Sequence, residues 1–213
     1  MSLLRVHSLP GLYGSSGKGQ VEFKGWLAKG DYRISEIGSA GGVVLHVPNK
    51  SPLVESLSFD LARFACAACE STRGLEEDEQ FPKATAWASI RLYYSAFFAA
   101  HAILRYFGTS CSQVDYEQSL KVTQFANSIY GIASRMQSGF YCARFNSVSS
   151  DLVMSKYSDS HKDTWKCFKE LLGDVRQLVL DGTGLTTEKL KIAQLIEELV
   201  SACLLYTSDA ADE

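Results

Sequence analysis

The run from Trp87 to Gly108 constrains this chain more than any other stretch. It reads Trp-Ala-Ser-Ile-Arg-Leu-Tyr-Tyr-Ser-Ala-Phe-Phe-Ala-Ala-His-Ala-Ile-Leu-Arg-Tyr-Phe-Gly. Pro82 near its first turn and Gly108 at its end bracket a single long helix. Turned at about 100° per residue, Trp87, Arg91, Tyr94, Phe98, His101 and Arg105 share one stripe roughly 80° wide. Ile90, Phe97 and Leu104 flank that stripe, and Ala96, Ala99 and Ala100 let another helix approach closely. A helix apolar around most of its girth belongs at the centre of a bundle. Two arginines, a tyrosine and a histidine along one line of it must then meet partners, a groove or water, because an unpaired buried charge is costly. One reading has each of them hydrogen-bonded within the core or at its rim. The other has Arg91, Tyr94, His101 and Arg105 facing a groove for phosphate or nucleotide, where arginine offers a bidentate fork and histidine titrates near neutral pH. Spacing alone does not choose between them.

The rest of the chain is read around this helix. Residues 1–50 are glycine-rich and short in period, with strands expected at Val21–Leu27 and Gly42–Val47. Gly11–Gly19 has the composition of a phosphate loop but not its spacing. Leu12 stands where the first glycine should be, and Lys18 is followed by Gly19. After Pro48 the pattern turns helical: Leu53, Leu57, Leu61 and Phe64 repeat at helical spacing from Ser51 to near Gly74. An acidic linker, Leu75–Gln80, precedes the long helix. A third helix is expected over Asp115–Tyr130. Phe140–Phe145 and Leu152–Tyr157 read as a hairpin across Asn146–Asp151. A fourth helix covers Ser160–Val179, with Trp165, Phe168 and Leu172 inward, and Thr186 or Thr187 caps a fifth over Glu188–Ser201. The expected class is therefore mainly α, a helical bundle with a small N-terminal β region and a short β-hairpin between helices.

The final eleven residues, Cys203-Leu-Leu-Tyr-Thr-Ser-Asp-Ala-Ala-Asp-Glu213, break the periodicity before them. Back-translated, they spell the transposon-end adapter used in building sequencing libraries, so they are set aside from fold reasoning. The organisation expected is an N-terminal β-containing segment (1–50), a helical domain (51–202) whose natural C-terminus is lost, and an adapter-derived tail (203–213). Without the three acids of the tail, 21 acidic residues face 21 basic ones, and there is no global pull toward nucleic acid or membrane. A hydrophobic content of 46% excludes intrinsic disorder. The longest apolar run, Ala96–Leu104, is too short to span a bilayer and is interrupted by His101. Met1–Pro10 lacks a signal peptide's apolar core. A cytoplasmic location is expected.

Five cysteines remain before the tail: Cys66, Cys69, Cys111, Cys142 and Cys167. Their odd number and scattered spacing fit a reducing compartment and argue against a disulfide framework. Cys66-Ala-Ala-Cys69 has a C-x-x-C form inside an apolar helical pattern, without a second Cys or His pair at zinc spacing, and reads as buried structural thiols. No His, Asp or Glu cluster has metal-ligand spacing, and no Gly-x-Ser-x-Gly elbow is present. No metal and no cofactor are expected. Lys162, Lys166, Lys169 and Arg176 make a basic stripe interspersed with Asp163, Glu170 and Asp174. Such mixing marks a solvated helix face more often than an RNA track.

Tyr93-Tyr94-Ser-Ala-Phe97-Phe98-Ala-Ala-His101-Ala-Ile-Leu104-Arg105 resembles the signature helix of HEPN domains (higher eukaryotes and prokaryotes nucleotide-binding). Ser160-His161-Lys-Asp-Thr-Trp165, followed by Phe168 and Leu171-Leu172, is similar to a segment of bacterial HEPN-like proteins. The resemblance covers roughly residues 82–202. It implies a small α-helical domain that dimerises. Many family members are metal-independent ribonucleases in toxin–antitoxin or phage-defence systems, some paired with a cognate antitoxin. Their catalytic motif is Arg, four to six residues, then His, with His as acid or base and Arg stabilising the phosphorane. This chain departs from it: Arg91 and His101 are too far apart, and His101 to Arg105 runs in the wrong order. No catalytic residue is assigned, and no nuclease activity is expected of these 213 residues.

The resemblance thus implies RNA or nucleotide binding, with RNA cleavage reserved for a longer chain. The alternative is a non-catalytic protein-interaction domain of the same fold. A small-molecule enzyme would instead require a pocket between the N-terminal region and the bundle. The family reading also requires Tyr94, Phe98 and Leu104 to be buried against the fourth helix.

Overall fold

The structure, a computed structural model, describes residues 8–12, 21–38, 41–73, 85–183 and 185–208, with side chains described as far as Ser201. Among these residues the fold is mainly helical, with six helices and one five-stranded antiparallel sheet. In chain order these are α1 (Phe23–Lys29), β1 (Arg33–Ile37), β2 (Val43–His46), α2 (Ser51–Thr72), α3 (Thr85–Tyr106) and β3 (Thr109–Val114). Then follow α4 (Tyr116–Tyr130), β4 (Gly139–Asn146), β5 (Asp151–Tyr157), α5 (Ser160–Asp181) and α6 (Thr186–Ser208). The expected acidic linker, most of the Gly11–Gly19 loop and the end of the adapter-like tail lie outside the described residues. The helix preceding that tail nevertheless continues as backbone to Ser208. No helix among the described residues is long and apolar enough to cross a membrane.

Several elements stand where the pattern puts them. α2 spans the expected segment with Pro52 in its first turn. α3 stops at Gly108, whose φ of 79° is left-handed and suits glycine. α4 starts with a capping box in which Asp115 accepts from the Gln118 N–H and the Gln118 side chain accepts from the Asp115 N–H. α5 is capped by Asp159, and the β4–β5 hairpin forms with Asn146 opposite Asp151.

Val21–Leu27 is a correction: the segment is helical, not a strand. Phe23, Trp26 and Leu27 lie at i, i+3 and i+4 and are all buried, a spacing that a strand would split between two faces. Gly30 ends α1 in the left-handed region, and a Cβ there would lie 2.6 Å from the Phe125 ring, so α4 closes over a residue without a side chain.

The sheet order is β1-β2-β5-β4-β3. The N-terminal strands and the hairpin are therefore not separate pieces. β2 pairs directly with β5, Val43 opposite Met154 and Leu45 opposite Leu152. Residue 50 does not divide the core, since Ile34, Val43 and Leu45 share one apolar cluster with Leu53, Val122 and Met154. Alternation along β4 feeds two cores. Tyr141 and Ala143 join the cluster covered by α1, α2 and α4, while Phe140 and Cys142 join a second cluster with α3, α5 and α6.

α3 is less central than its composition suggests. It packs along α2 and against α5, burying Phe97, Ala100 and Leu104, but nothing described covers its third side. Trp87 is 61% exposed, and Ile90, Leu92 and Tyr94 are also exposed. Of the three residues that the family reading buries against α5, Leu104 is fully buried and Phe98 is half-buried against Phe64 of α2. Tyr94 is exposed. Phe97 and Tyr93 are the aromatics that face α5, at 6.0 Å and 6.4 Å from the Trp165 ring.

Candidate functional site

A cleft of about 290 Å³ opens where α2, α3, the start of β3 and the first turn of α5 meet. α2 supplies Asp60, Arg63 and Phe64, which lie at i, i+3 and i+4 on one helix face. α3 supplies Phe97, His101 and Arg105, again at i, i+4 and i+8. Cys111 and Ser112 come from β3, and Ser160 and His161 from α5. Glu22 and Lys24, at the start of α1, form part of its rim, so the N-terminal segment does border the cleft.

Arg105 is its buried cation, at 1% exposure. Its guanidinium lies over the Phe64 ring at 4.3 Å. Nη1 donates to His101 Nδ1 at 2.9 Å and to the His101 carbonyl at 3.1 Å, and Nη2 donates to the Cys111 carbonyl at 3.1 Å. Its Nε has no hydrogen-bond partner among the described residues, and the Asp60 carboxylate stands 4.0 Å from it. Burial pulls the Arg105 pKa down to about 10, which leaves it charged at neutral pH. Asp60 is pushed up by burial, against the opposing pull of Arg105, the Phe23 N–H and Arg63. The Phe23 N–H donates to Asp60 at 3.1 Å, tying α1 to the site.

His101 is 6% exposed and stacks on Phe64 with ring centroids 4.7 Å apart. Burial first, then the neighbouring Arg105 charge, hold its pKa down at about 3. Because Arg105 donates to Nδ1, the neutral ring carries its proton on Nε2. His161, exposed on the first turn of α5, stacks on Phe97 at 4.5 Å and 13°, and its Nδ1 lies 2.9 Å from the Tyr93 hydroxyl. Tyr94 meets His161 edge-on at 6.3 Å. Tyr93, Tyr94 and His161 thus form an aromatic shelf beside the cleft, with Arg63 and Lys24 on its rim.

The structure divides the four residues of the α3 stripe. His101 and Arg105 enter the cleft. Arg91 is turned the other way, donating to the Ser71 carbonyl at 3.1 Å and to the Arg73 carbonyl, so it caps the C-terminus of α2. Tyr94 reaches the shelf but not the cleft lining. Lys162, Lys166 and Lys169 line a separate recess on the outer face of α5 together with Asp163 and Glu170. There Asp163 accepts from the Ser158 and Asp159 N–H groups, and Glu170 pairs with Arg144. Asp60, Arg63, Phe64 and His161 were not legible as site residues. They lie 37 to 60 positions from His101 in sequence order, and periodicity within one helix carries no information about its neighbour. The nearest signal was Asp159 as a helix cap, which puts His161 at a helix start.

The cysteines also depart from expectation. Cys66 and Cys69 are exposed on α2, not buried. The three with the most scattered spacing, Cys111, Cys142 and Cys167, converge in the second core with their Sγ atoms all within 4.8 Å of one another. Compared with known proteins, the chain matches no family model, no curated protein and no solved structure.

Proposed function

We propose that this chain binds single-stranded RNA or its nucleotides across the mouth of the α2–α3–α5 cleft, as the HEPN resemblance implies, in a bacterial defence or toxin–antitoxin setting. The observation that carries this reading is the shelf of Tyr93, Tyr94 and His161 beside a cleft with Lys24 and Arg63 at its rim. Single strands are held by bases stacked on aromatic faces while cations track the phosphates. Arg105 and His101 then act as the rigid floor, with the Arg105 Nε a buried donor that has no hydrogen-bond partner among the described residues. Cleavage is not part of the proposal.

The test is fluorescence anisotropy with a labelled single-stranded RNA. Tyr94→Ala should weaken binding by the ~1–3 kcal/mol of one stacked base, roughly 5- to 150-fold. Lys24→Glu with Arg63→Glu should weaken it further and flatten its dependence on salt. Replacing Lys162, Lys166 and Lys169 with Glu should change little. Absence of binding, or binding lost only in the triple-lysine variant, would sink this placement.

A second reading, protein interaction through α3, is favoured by Trp87, Ile90 and Tyr94, which lie at i, i+3 and i+7 and are all exposed. The family resemblance makes a second copy of this chain the expected partner. Light scattering should then report a dimer that Trp87→Ser with Ile90→Ser converts to a monomer. A monomeric parent chain excludes this reading.

A further inference from the structure

We propose that Cys111, Cys142 and Cys167 form a three-thiolate site for a soft monovalent cation, Cu(I), buried between the sheet and α5. Cys111 of β3 and Cys142 of β4 are directly opposite one another in the antiparallel register. Cys167 comes from the second turn of α5, which packs on that same face. All three Sγ atoms lie within 4.8 Å of one another. A thiophilic ion at ~2.3 Å from each sulfur requires sulfur separations of about 4 Å in a trigonal arrangement, so small side-chain rotations complete the site. The ligands sit on two strands and a helix, not on loops, which holds them in place before an ion arrives.

The chemistry of the donors selects the ion. Three thiolates with no carboxylate or imidazole among them suit soft metals. The three residues are 0–2% exposed, which disfavours the solvent-derived fourth ligand that zinc takes when the protein supplies three. Three-coordinate Cu(I) requires no fourth ligand. The Arg144 guanidinium, next to Cys142 and shared with Glu170, offsets part of the negative charge that three thiolates around a monovalent ion leave. Cys111 also lines the cleft, which gives the ion a way in. Loading forms three Cu–S bonds. Each thiol still protonated gives its proton to solvent, and no electron is transferred.

The test uses a chain in which the exposed Cys66 and Cys69, and Cys203 of the tail, are replaced by Ser, so that only the buried trio remains. It is titrated anaerobically with Cu(I) against a chromophoric Cu(I) chelator. One Cu(I) per chain should be withdrawn from the chelator, the melting temperature should rise on loading, and X-ray absorption should show a single shell of three sulfurs. Cys142→Ala and Cys167→Ala should each abolish the withdrawal, with circular dichroism reporting whether the variant is folded. The absorption spectrum of the unsubstituted trio gives the coordination number without relying on those variants. Failure to compete with the chelator, a two-sulfur shell, or withdrawal that persists in folded single-cysteine variants would overturn the proposal. So would tight Zn²⁺ binding with a non-sulfur fourth ligand.

Discussion

Arg105 Nη1 lies 2.9 Å from His101 Nδ1, one turn earlier on the same helix, and because a guanidinium can only donate, the imidazole must accept. This contact gives a histidine that sequence alone would credit with titration near neutrality a fixed neutral tautomer. The floor of the cleft therefore carries one positive charge, on Arg105, and not two.

The pH dependence of stability follows from that contact. Folding lowers the His101 pKa from 6.5 to about 3. Between those values the unfolded chain binds a proton that the native chain refuses. Stability is thus fully present above the unfolded value and falls as pH drops through the window, at up to ~1.4 kcal/mol per pH unit from this group. His101→Gln should flatten that slope in urea denaturation series run from about pH 7 to about pH 4. An unchanged slope would mean that His101 is protonated in the native chain.

Asp60 and Arg105 form a buried pair whose members are each penalised by burial. Asp60→Asn keeps an acceptor for the Phe23 N–H but leaves the Arg105 charge without its counter-ion. It should cost ~3–5 kcal/mol. Combined with Arg105→Met, the loss should be well below the sum of the single changes. Chemical denaturation of the full cycle measures this, and additive losses would show that the two side chains do not interact.

Phe97 and Phe98 separate two views of α3. Phe97 is buried between α3 and α5 beside Trp165, whereas Phe98 is half-buried against Phe64. Phe97→Ala should destabilise by ~3–5 kcal/mol, and Phe98→Ala by less than half as much. Thermal melts in which Phe98→Ala is the costlier change would mean that α3 is rotated about its axis from the orientation described.

Local chemistry made much of this fold legible in advance. Apolar period, Pro52 and Gly108 mark α2, α3 and α4 because each acts within one or two turns of its own backbone. β1 was hidden because a register shift between Ile34 and Glu36 places inward residues three apart and breaks alternation. β3 was hidden because Thr109, Ser110 and Cys111 are small or polar and become buried only by pairing with β4. α1 was misread because a seven-residue segment carries too few residues to separate the two periods.

The candidate sites divide along the same line. The stripe on α3 was visible as a stripe, but what each member does was decided by its neighbours. Arg91 is used at the end of α2, Tyr94 is left to solvent, and His101 and Arg105 are enclosed with Asp60 and Phe64. Cys111, Cys142 and Cys167, separated by 31 and 25 positions in the chain, become neighbours only when a strand register and a helix crossing coincide. By itself the sequence determined the longer helical segments and where most of them stop, since capping, turn conformation and periodicity are short-range. Which side chains meet was decided by the tertiary structure, because burial and electrostatic pairing depend on distances in space that spacing along the chain does not contain.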